Sequence, residues 1–282
     1  MSTTRSVLAV VLACAILAPA GRAQTPAQRT FPNAPQGFDV RREGVSRGRV
    51  DRVEYDSTVT GNKRPAMVYM PPGYSARQRY PVLYLLHGLG ANEATWTDDL
   101  AADQILDNLI ADKKALPMIV VMPNGRASNE PVADPRVEMQ AHAAFEKELI
   151  ADLIPFIESH YSADRSRERR ALAGLSLGGW QSLSFGLGNL NTFAWVAGFS
   201  SALQASPPAQ LVRDPIAVRG RLKLLWVSCG DQDTGSFSMS EGLHSYLAER
   251  NVPHVWHIDV GGGHTVPVWK NDLYHLATLL FR

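Results

Sequence analysis

The feature that most restricts the fold of this 282-residue chain is a series of short, uninterrupted apolar segments. Val82–Leu86 and Ile119–Met122 are two examples, and helical stretches separate most such segments after Leu86. A strand that is apolar at every position must be covered on both faces, which is typical of a parallel sheet between layers of helices. The pattern therefore predicts an α/β fold.

The predicted strands and helices follow one another along the whole chain. The strands are Val50–Ser57, Ala66–Met70, Val82–Leu86, Ile119–Met122, Arg170–Ala173, Trp195–Phe199, Leu222–Val227 and Val255–Ile258. The helices are Leu100–Ala111, Ala141–His160, Trp180–Leu187, Phe237–Arg250 and Val268–Phe281. Pro155 is expected to kink the second helix. Because the first strands have no helices between them, we expect one domain whose sheet of about eight strands starts antiparallel and continues parallel, with helices on both faces.

The N-terminus has the pattern of an export signal. Arg5 precedes the apolar stretch Val7–Leu17, and small residues including Ala20 and Ala23 follow it. The apolar stretch is too short to span a bilayer as a mature helix. We expect residues 1–23 to be a signal peptide, 24–45 an N-terminal arm or linker, and 46–282 the folded domain of a secreted or periplasmic protein.

Charge and cysteine content exclude several classes of protein. Lysine and arginine number 28 against 27 for aspartate and glutamate, so no basic field favours nucleic acid. No membrane association is expected once the signal is removed. Signal removal takes Cys14 away and leaves Cys229 alone, so no internal disulfide forms. Cys229 ends an apolar strand and is interpreted as a packing residue.

A nucleophile motif occupies a junction between a strand and a helix. Gly174-Leu-Ser-Leu-Gly178 follows the strand Arg170–Ala173 and precedes the helical stretch from Trp180. The G-x-S-x-G pattern in this setting presents serine on a sharp turn, where flanking glycines avoid steric conflict. Ser176 is therefore the candidate nucleophile, and the backbone N–H of Leu177 is a candidate oxyanion donor at the helix N-terminus.

Candidate partners for Ser176 also come directly after predicted strands. Three glycines, which are costly to order, precede His264, and a loop tolerates them when it must place one side chain. Asp231 and Asp233 both follow the strand Leu222–Val227. Turn chemistry favours Asp233 as the acid, because Asp231 directly follows a glycine and is better placed to cap the turn.

The resulting order, Ser176, Asp233, His264, is the nucleophile–acid–histidine order of α/β-hydrolases. The small residues after His87 form a loop in which the Leu89 backbone N–H would supply a second oxyanion donor, and His87 itself is expected to pack structurally. No cluster has metal-ligand spacing and no nucleotide-binding loop follows a strand, so neither a metal nor a cofactor is expected.

Several motifs resemble a known family. Pro71–Tyr74, Tyr80–Gly88, Ile119–Asn124 and Gly174–Gly179 are similar to those of the esterase group that includes esterase D. The C-terminal part is more specific: Leu222–Leu225, Cys229–Gly230, Gly261–His264 and Val268–Lys270 resemble the feruloyl esterase modules of bacterial xylanases, which are family-one carbohydrate esterases. The resemblance extends from about Val50 to Phe281. It implies an α/β-hydrolase fold, the triad and oxyanion positions given above, and no cofactor.

The resemblance also implies a substrate class. The expected reaction is hydrolysis of feruloyl or acetyl esters on plant cell-wall xylan or its oligosaccharides. Trp96, Phe237 and Trp269 are candidate substrate contacts. Acetylxylan esterase, siderophore esterase and acyltransferase activities would use the same triad and remain alternatives. A non-enzymatic carbohydrate-binding relative is disfavoured, because such proteins commonly lack a triad residue and none is missing.

Overall fold

The computed structural model describes residues 31–128, 134–203 and 206–282. Its strands are β1 Arg49–Asp56, β2 Lys63–Met70, β3 Val82–Leu86, β4 Ile119–Pro123, β5 Arg170–Leu175, β6 Trp195–Phe199, β7 Leu224–Gly230 and β8 Val255–Asp259. Each predicted strand is present, and its ends differ from the prediction by at most three residues. Apolar runs locate buried strands well because every residue of β3, β4 and β6 is buried.

All eight strands form one sheet in the order β1-β2-β4-β3-β5-β6-β7-β8. The pairs β1–β2 and β2–β4 are antiparallel, and every other pair is parallel. The predicted antiparallel start is confirmed. Leu86 of β3 lies opposite Gly174 of β5, and Gly230 of β7 lies opposite Asp259 of β8. The carboxyl ends of the parallel strands therefore share one edge of the sheet, where such folds place their ligands.

Helices cover both faces of this sheet. The α-helices are α1 Thr95–Asp98, α2 Ala102–Ala111, α3 Pro135–Glu148, α4 Ile154–His160, α5 Ser176–Gly188, α6 Pro208–Leu211, α7 Pro215–Arg221, α8 Phe237–Glu249 and α9 Val266–Leu279. Apolar residues of α2 and α9 pack on one face of the sheet, while those of α3, α4, α5 and α8 pack on the other. This doubly covered sheet is the α/β-hydrolase architecture that the sequence predicts.

The predicted helices differ from the observed ones in two ways. The stretch predicted as Ala141–His160 is α3 followed by a π-helical turn, Leu149–Leu153, and then α4. Pro155 lies in the first turn of α4, where its missing N–H costs least. The short helices α1, α6 and α7 are absent from the prediction, since four to seven residues show too little periodicity to be recognised.

The described part of the N-terminal segment packs on the domain. The backbone N–H of Ala34 donates to Asn271 Oδ1 at 2.8 Å, and His275 Nε2 lies 2.7 Å from the carbonyl oxygen of Pro32. The predicted signal peptide, residues 1–23, lies outside the described residues, so the domain limits remain a prediction. None of the described helices has the length and apolar character needed to cross a membrane.

Candidate active site

Ser176 lies on a sharp turn between β5 and α5. Its φ is +53°, in the left-handed region that costs a non-glycine residue energy. A Cβ at Gly174 would come within 2.3 Å of the Gly178 carbonyl oxygen, and one at Gly178 within 2.3 Å of the His87 carbonyl oxygen. Both glycines are therefore required by close backbone approach. The turn lifts the Ser176 hydroxyl to the carboxyl edge of the sheet.

Two further side chains complete a hydrogen-bonded chain with Ser176. His264 Nε2 lies 2.9 Å from Ser176 Oγ, and His264 Nδ1 lies 2.7 Å from Asp233 Oδ2. The Asp233 side chain is only 3% exposed, whereas that of His264 is 40% exposed. The backbone N–H of Ser236 donates to the other Asp233 oxygen at 3.1 Å. The carboxylate is thus fixed by the protein while the imidazole faces open space.

The second acid candidate, Asp231, has a different position. Its Oδ1 accepts a 2.7 Å hydrogen bond from the backbone N–H of Gly261. Asp231 therefore caps the glycine loop, as turn chemistry indicated, and Asp233 is the acid beside the imidazole. The structure brings together Ser176, Asp233 and His264 as the sequence predicted.

One of the three glycines before His264, Gly262, is required by close packing. A Cβ at Gly230 would lie 2.1 Å from the Gly262 carbonyl oxygen, and one at Gly262 would lie 2.6 Å from Val268 Cγ2. The loop therefore packs closely against the end of β7. The Gly262 carbonyl also accepts from the Gln232 N–H at 2.8 Å. This close contact holds His264 and Asp233 at one fixed separation.

The predicted oxyanion donors lie on either side of Ser176. Leu177 is in the first turn of α5, where backbone N–H groups have no partner within the helix. Leu89 follows Gly88 in the loop after β3, and a Cβ at Gly88 would be 3.2 Å from Ser176 Cβ. This loop therefore runs directly beside the nucleophile candidate, and its backbone can face the same oxygen as Leu177.

His87 holds this loop in place. Its Nδ1 lies 2.7 Å from the Gly88 carbonyl oxygen, and its Nε2 accepts from the Gly125 N–H at 2.9 Å. Nδ1 must then carry the ring proton, and burial lowers the pKa of His87, which keeps the ring neutral. Gln181 Nε2 donates to the Gly125 carbonyl at 2.7 Å. His87 packs structurally as predicted, whereas Gln181 has no motif that identifies it in the sequence.

Two cavities border Ser176. The larger has a volume of about 720 Å³, and its walls include Leu89, Leu100, Val266 and Trp269. The smaller, of about 340 Å³, runs past Ala202 and the loop 232–236. The first is large enough for an aromatic acyl group, and the second lies beside the triad on the side of the acid.

Only one of the three predicted aromatic contacts lines these cavities. Trp269 borders the larger one and packs edge-on against the His264 ring, with centroids 5.0 Å apart. Trp96 is 1% exposed and packs against Phe199 in the core, so the structure does not bring it to the substrate. Phe237 packs against Trp256 and lines neither cavity. Loop position in the sequence does not reveal which face of a loop is buried.

Cys229 is close to the site without a chemical role of its own. It is buried, and its Sγ lies 3.7 Å from Asp233 Oδ2. Burial and the neighbouring carboxylate raise the pKa of its thiol to about 12, so the reactive thiolate does not form at neutral pH. The interpretation of Cys229 as a packing residue agrees with this position.

The fold and this strand–turn–helix serine define the class: the protein is an α/β-hydrolase. A family model described as "Putative esterase" matches residues 57–277, and the chain belongs to that family. A curated relative, the endo-1,4-beta-xylanase/feruloyl esterase of Xylanibacter ruminicola, is 34% identical over 89% of this chain and 34% of its own length. Another, an esterase of Mycobacterium tuberculosis, is 31% identical over 63% of this chain. The chain spans little more than a third of the length of these two relatives.

Solved structures show the same domain over nearly its whole length. The CE1 ferulic acid esterase of the anaerobic fungus Anaeromyces mucronatus superposes with a TM-score of 0.80 at 25% identity, covering 90% of this chain and 98% of that one. The same enzyme is known in complex with ferulic acid. The domain described above thus belongs to the putative esterase family and shares the fold of this CE1 ferulic acid esterase.

Proposed function

We propose that Ser176, His264 and Asp233 catalyse ester hydrolysis through an acyl-enzyme. The observation that carries this proposal is the continuous hydrogen-bonded chain from Ser176 Oγ through both imidazole nitrogens to Asp233. A serine hydroxyl needs a base within hydrogen-bond reach, and the base needs a partner that fixes its tautomer. Every link of that requirement is present.

The steps follow from this geometry. Ser176 Oγ attacks the ester carbonyl carbon while its proton passes to His264 Nε2, and the imidazolium is stabilised by Asp233. The carbonyl oxygen becomes an oxyanion facing the backbone N–H groups of Leu89 and Leu177. Collapse breaks the bond to the alcohol, which leaves with the proton from His264. Water then attacks the acyl-enzyme by the same sequence and releases the acid.

We further propose feruloyl esters of xylan or its oligosaccharides as the substrate class. The larger cavity has an aromatic and aliphatic part formed by Leu89, Leu100, Val266 and Trp269, with Thr95, Asp98 and Asp99 also on its wall, and it exceeds what an acetyl group needs. The Xylanibacter relative is named as a feruloyl esterase, and the Anaeromyces enzyme binds ferulic acid. The acyl group would occupy this cavity, and the sugar would lie towards the more open cavity at loop 232–236.

Export would bring the enzyme to a substrate too large to enter a cell. The N-terminal pattern at residues 1–23 supports a secreted or periplasmic location. Mass spectrometry of the mature N-terminus from the culture medium or the periplasm tests this. A protein that keeps Met1–Ala23 in the cytoplasm would contradict it.

The acyl preference is tested with one pair of substrates. Feruloylated and acetylated xylo-oligosaccharides are compared by kcat/KM, and we expect the feruloyl ester to be preferred by about tenfold or more, because only an aromatic acyl group fills the larger cavity. A preference for the acetyl ester would favour the acetylxylan esterase alternative. Adding an acceptor sugar and analysing products separates hydrolysis from acyl transfer, since only a transferase forms a new sugar ester.

A further inference from the structure

Three buried side chains from two elements meet on the face of the sheet that α9 covers. His257 and Asp259 lie on one face of β8, and Asp272 belongs to α9. One nitrogen or carboxylate oxygen from each lies within 4.8 Å of the others. Asp272 is fully buried, and His257 and Asp259 are 1% and 7% exposed. This group is called the β8–α9 cluster below.

Most polar atoms of the β8–α9 cluster lack partners, although Asp259 Oδ1 accepts a hydrogen bond from Asn271 Nδ2. Both carboxylate oxygens of Asp272, Oδ2 of Asp259 and Nε2 of His257 have no hydrogen-bond partner among the described residues. The Ser228 hydroxyl and the Trp226 indole N–H, on β7, face the Asp272 carboxyl as hydrogen-bond donors, but neither contact has normal hydrogen-bond geometry. A buried polar group without a partner is rare in native proteins, and here several occur together.

The charges in the cluster also lack compensation. Within the described part of the chain, no lysine or arginine forms an ion pair with Asp259 or Asp272, and the one ionic contact is His257 Nε2 to Asp259 Oδ1 at 3.4 Å. Two adjacent carboxylates sealed from water need either a proton, held on a carboxyl group or on His257, or a bound cation.

We propose that His257, Asp259 and Asp272 bind one divalent transition-metal cation, with Zn²⁺ favoured. Imidazole nitrogen with two carboxylates is a ligand set that Zn²⁺ accepts in a tetrahedral site, whereas Ca²⁺ and Mg²⁺ prefer oxygen ligands throughout. A cation gives both carboxylates a counter-charge and gives the unpartnered atoms a ligand. A water molecule or the Ser228 hydroxyl would complete the coordination. This site is separate from the triad and goes beyond the esterase function.

One contact of His257 changes when a cation binds. The backbone nitrogen of Phe31 lies 3.5 Å from Nδ1, at the outer limit for a hydrogen bond. A cation on Nε2 leaves the ring proton on Nδ1, so the Phe31 N–H must turn away. The Phe31 ring packs on Trp226 and on His257, with centroid distances of 5.1 and 5.4 Å. Cation binding is therefore expected to alter the environment of the Trp226 indole.

The site would stabilise the base of the catalytic loop. The Asp259 backbone carbonyl accepts from the N–H groups of Gly262 at 3.0 Å and of Asp231 at 3.2 Å. Those two residues belong to the loops that carry His264 and Asp233. A cation at the Asp259 carboxylate would hold this junction without touching the substrate.

The test uses the full chain purified without a metal-affinity tag. Native mass spectrometry and elemental analysis are expected to find about one zinc per chain. After removal of metal with a chelator, Zn²⁺ at about a hundredfold excess over Kd should raise Tm by about 5–10 °C, while Ca²⁺ and Mg²⁺ should raise it much less. Tryptophan fluorescence should change over the same concentrations.

Matched variants locate the site. D272N should lose the bound zinc and the Tm shift, whereas D107N, at a buried aspartate distant in sequence, should keep both. H254Q removes the partly exposed pair of His254 and His244, whose ring nitrogens lie 2.7 Å apart and could bind zinc adventitiously. Zinc that is lost in H254Q and kept in D272N would overturn the proposal. The proposal would also be overturned if the wild-type protein contained no metal and its Tm did not respond to Zn²⁺ or Mn²⁺, which would indicate a shared proton. This measurement does not depend on whether the variants fold.

Discussion

Two histidine–aspartate pairs lie close together in sequence and differ in what surrounds them. His264 has both ring nitrogens engaged, by Asp233 and Ser176, and its side chain is 40% exposed beside a cavity. His257 is 1% exposed, and its Nε2 meets Asp259 only at 3.4 Å, next to a second carboxyl group. The His264–Asp233 pair is fully hydrogen-bonded and faces a cavity, whereas the His257–Asp259 pair is buried and has polar atoms without hydrogen-bond partners.

The difference shows how burial changes what the same two residue types can do. An imidazole that faces a cavity can accept a proton from Ser176 and return it to a substrate, because the resulting charge is balanced by Asp233. An imidazole buried beside two carboxyl groups cannot contact a substrate. The free-energy cost of burying these carboxyl groups must be offset by a proton or a bound cation. The first arrangement supports catalysis and the second supports a structural site.

The most severe test of the open pair is removal of the proposed nucleophile. S176A should lower kcat for methyl ferulate by about 10^4-fold or more, since the remaining groups have no oxygen to acylate. S159A, at an exposed serine on α4, is the control and should have wild-type kcat. Near-normal turnover by S176A would contradict the proposed catalytic role of Ser176 and of the His264–Asp233 pair.

The next test separates the two acids that follow β7. D233N should lower kcat by about 10^4-fold, because the amide no longer favours the tautomer and the charge that His264 needs. D231N keeps a side-chain oxygen that can accept from the Gly261 N–H and should lower kcat by less than about tenfold. Steady-state kinetics of the two purified variants decide the matter. A larger loss in D231N than in D233N would reverse the assignment.

The sequence predicts the triad because each residue has a local mark. Ser176 has flanking glycines, His264 follows three glycines, and Asp233 lies just beyond a buried strand. A side chain at Gly174, Gly178 or Gly262 would clash with neighbouring atoms, so the fold itself requires the glycines that mark these sites in the sequence. The six strands from β3 to β8 are predictable for a similar reason, since nearly continuous burial leaves an apolar run.

Other features depend on contacts that no local pattern records. Trp96 and Trp269 both follow motif loops, yet one packs in the core and the other borders the cavity. The β8–α9 cluster was missed because Asp272 is distant in sequence from His257 and Asp259, so no ligand spacing appears. The π-helical turn at Leu149–Leu153 likewise interrupts a continuous apolar pattern without a sequence signal.

A smaller effect is expected at the wall of the larger cavity. W269A should raise KM for a feruloyl ester by about tenfold, because it removes an apolar surface beside the acyl group and the ring that packs on His264. KM for an acetyl ester should change less. F237L is the control, since Phe237 lines neither cavity. Equal effects of the two variants on both substrates would place the acyl group elsewhere.

The smallest expected effect concerns the pH dependence of stability that arises from histidines whose pKa is lowered by burial. Burial lowers the pKa of His87, His142, His254 and His275 in the folded protein. Below the unfolded value of about 6.5, the unfolded chain therefore binds more protons than the folded one, and stability falls as pH falls.

Calorimetry between about pH 8 and pH 5 measures this loss as a falling Tm, and the decline should begin near pH 6.5. H254Q should have a shallower decline than wild type, because it removes one group that the fold keeps neutral. H160Q, at an exposed ring, should follow the wild-type curve. A Tm that rises towards pH 5 would mean that the folded protein accommodates charged imidazole at these positions, so that burial would not keep these histidines neutral.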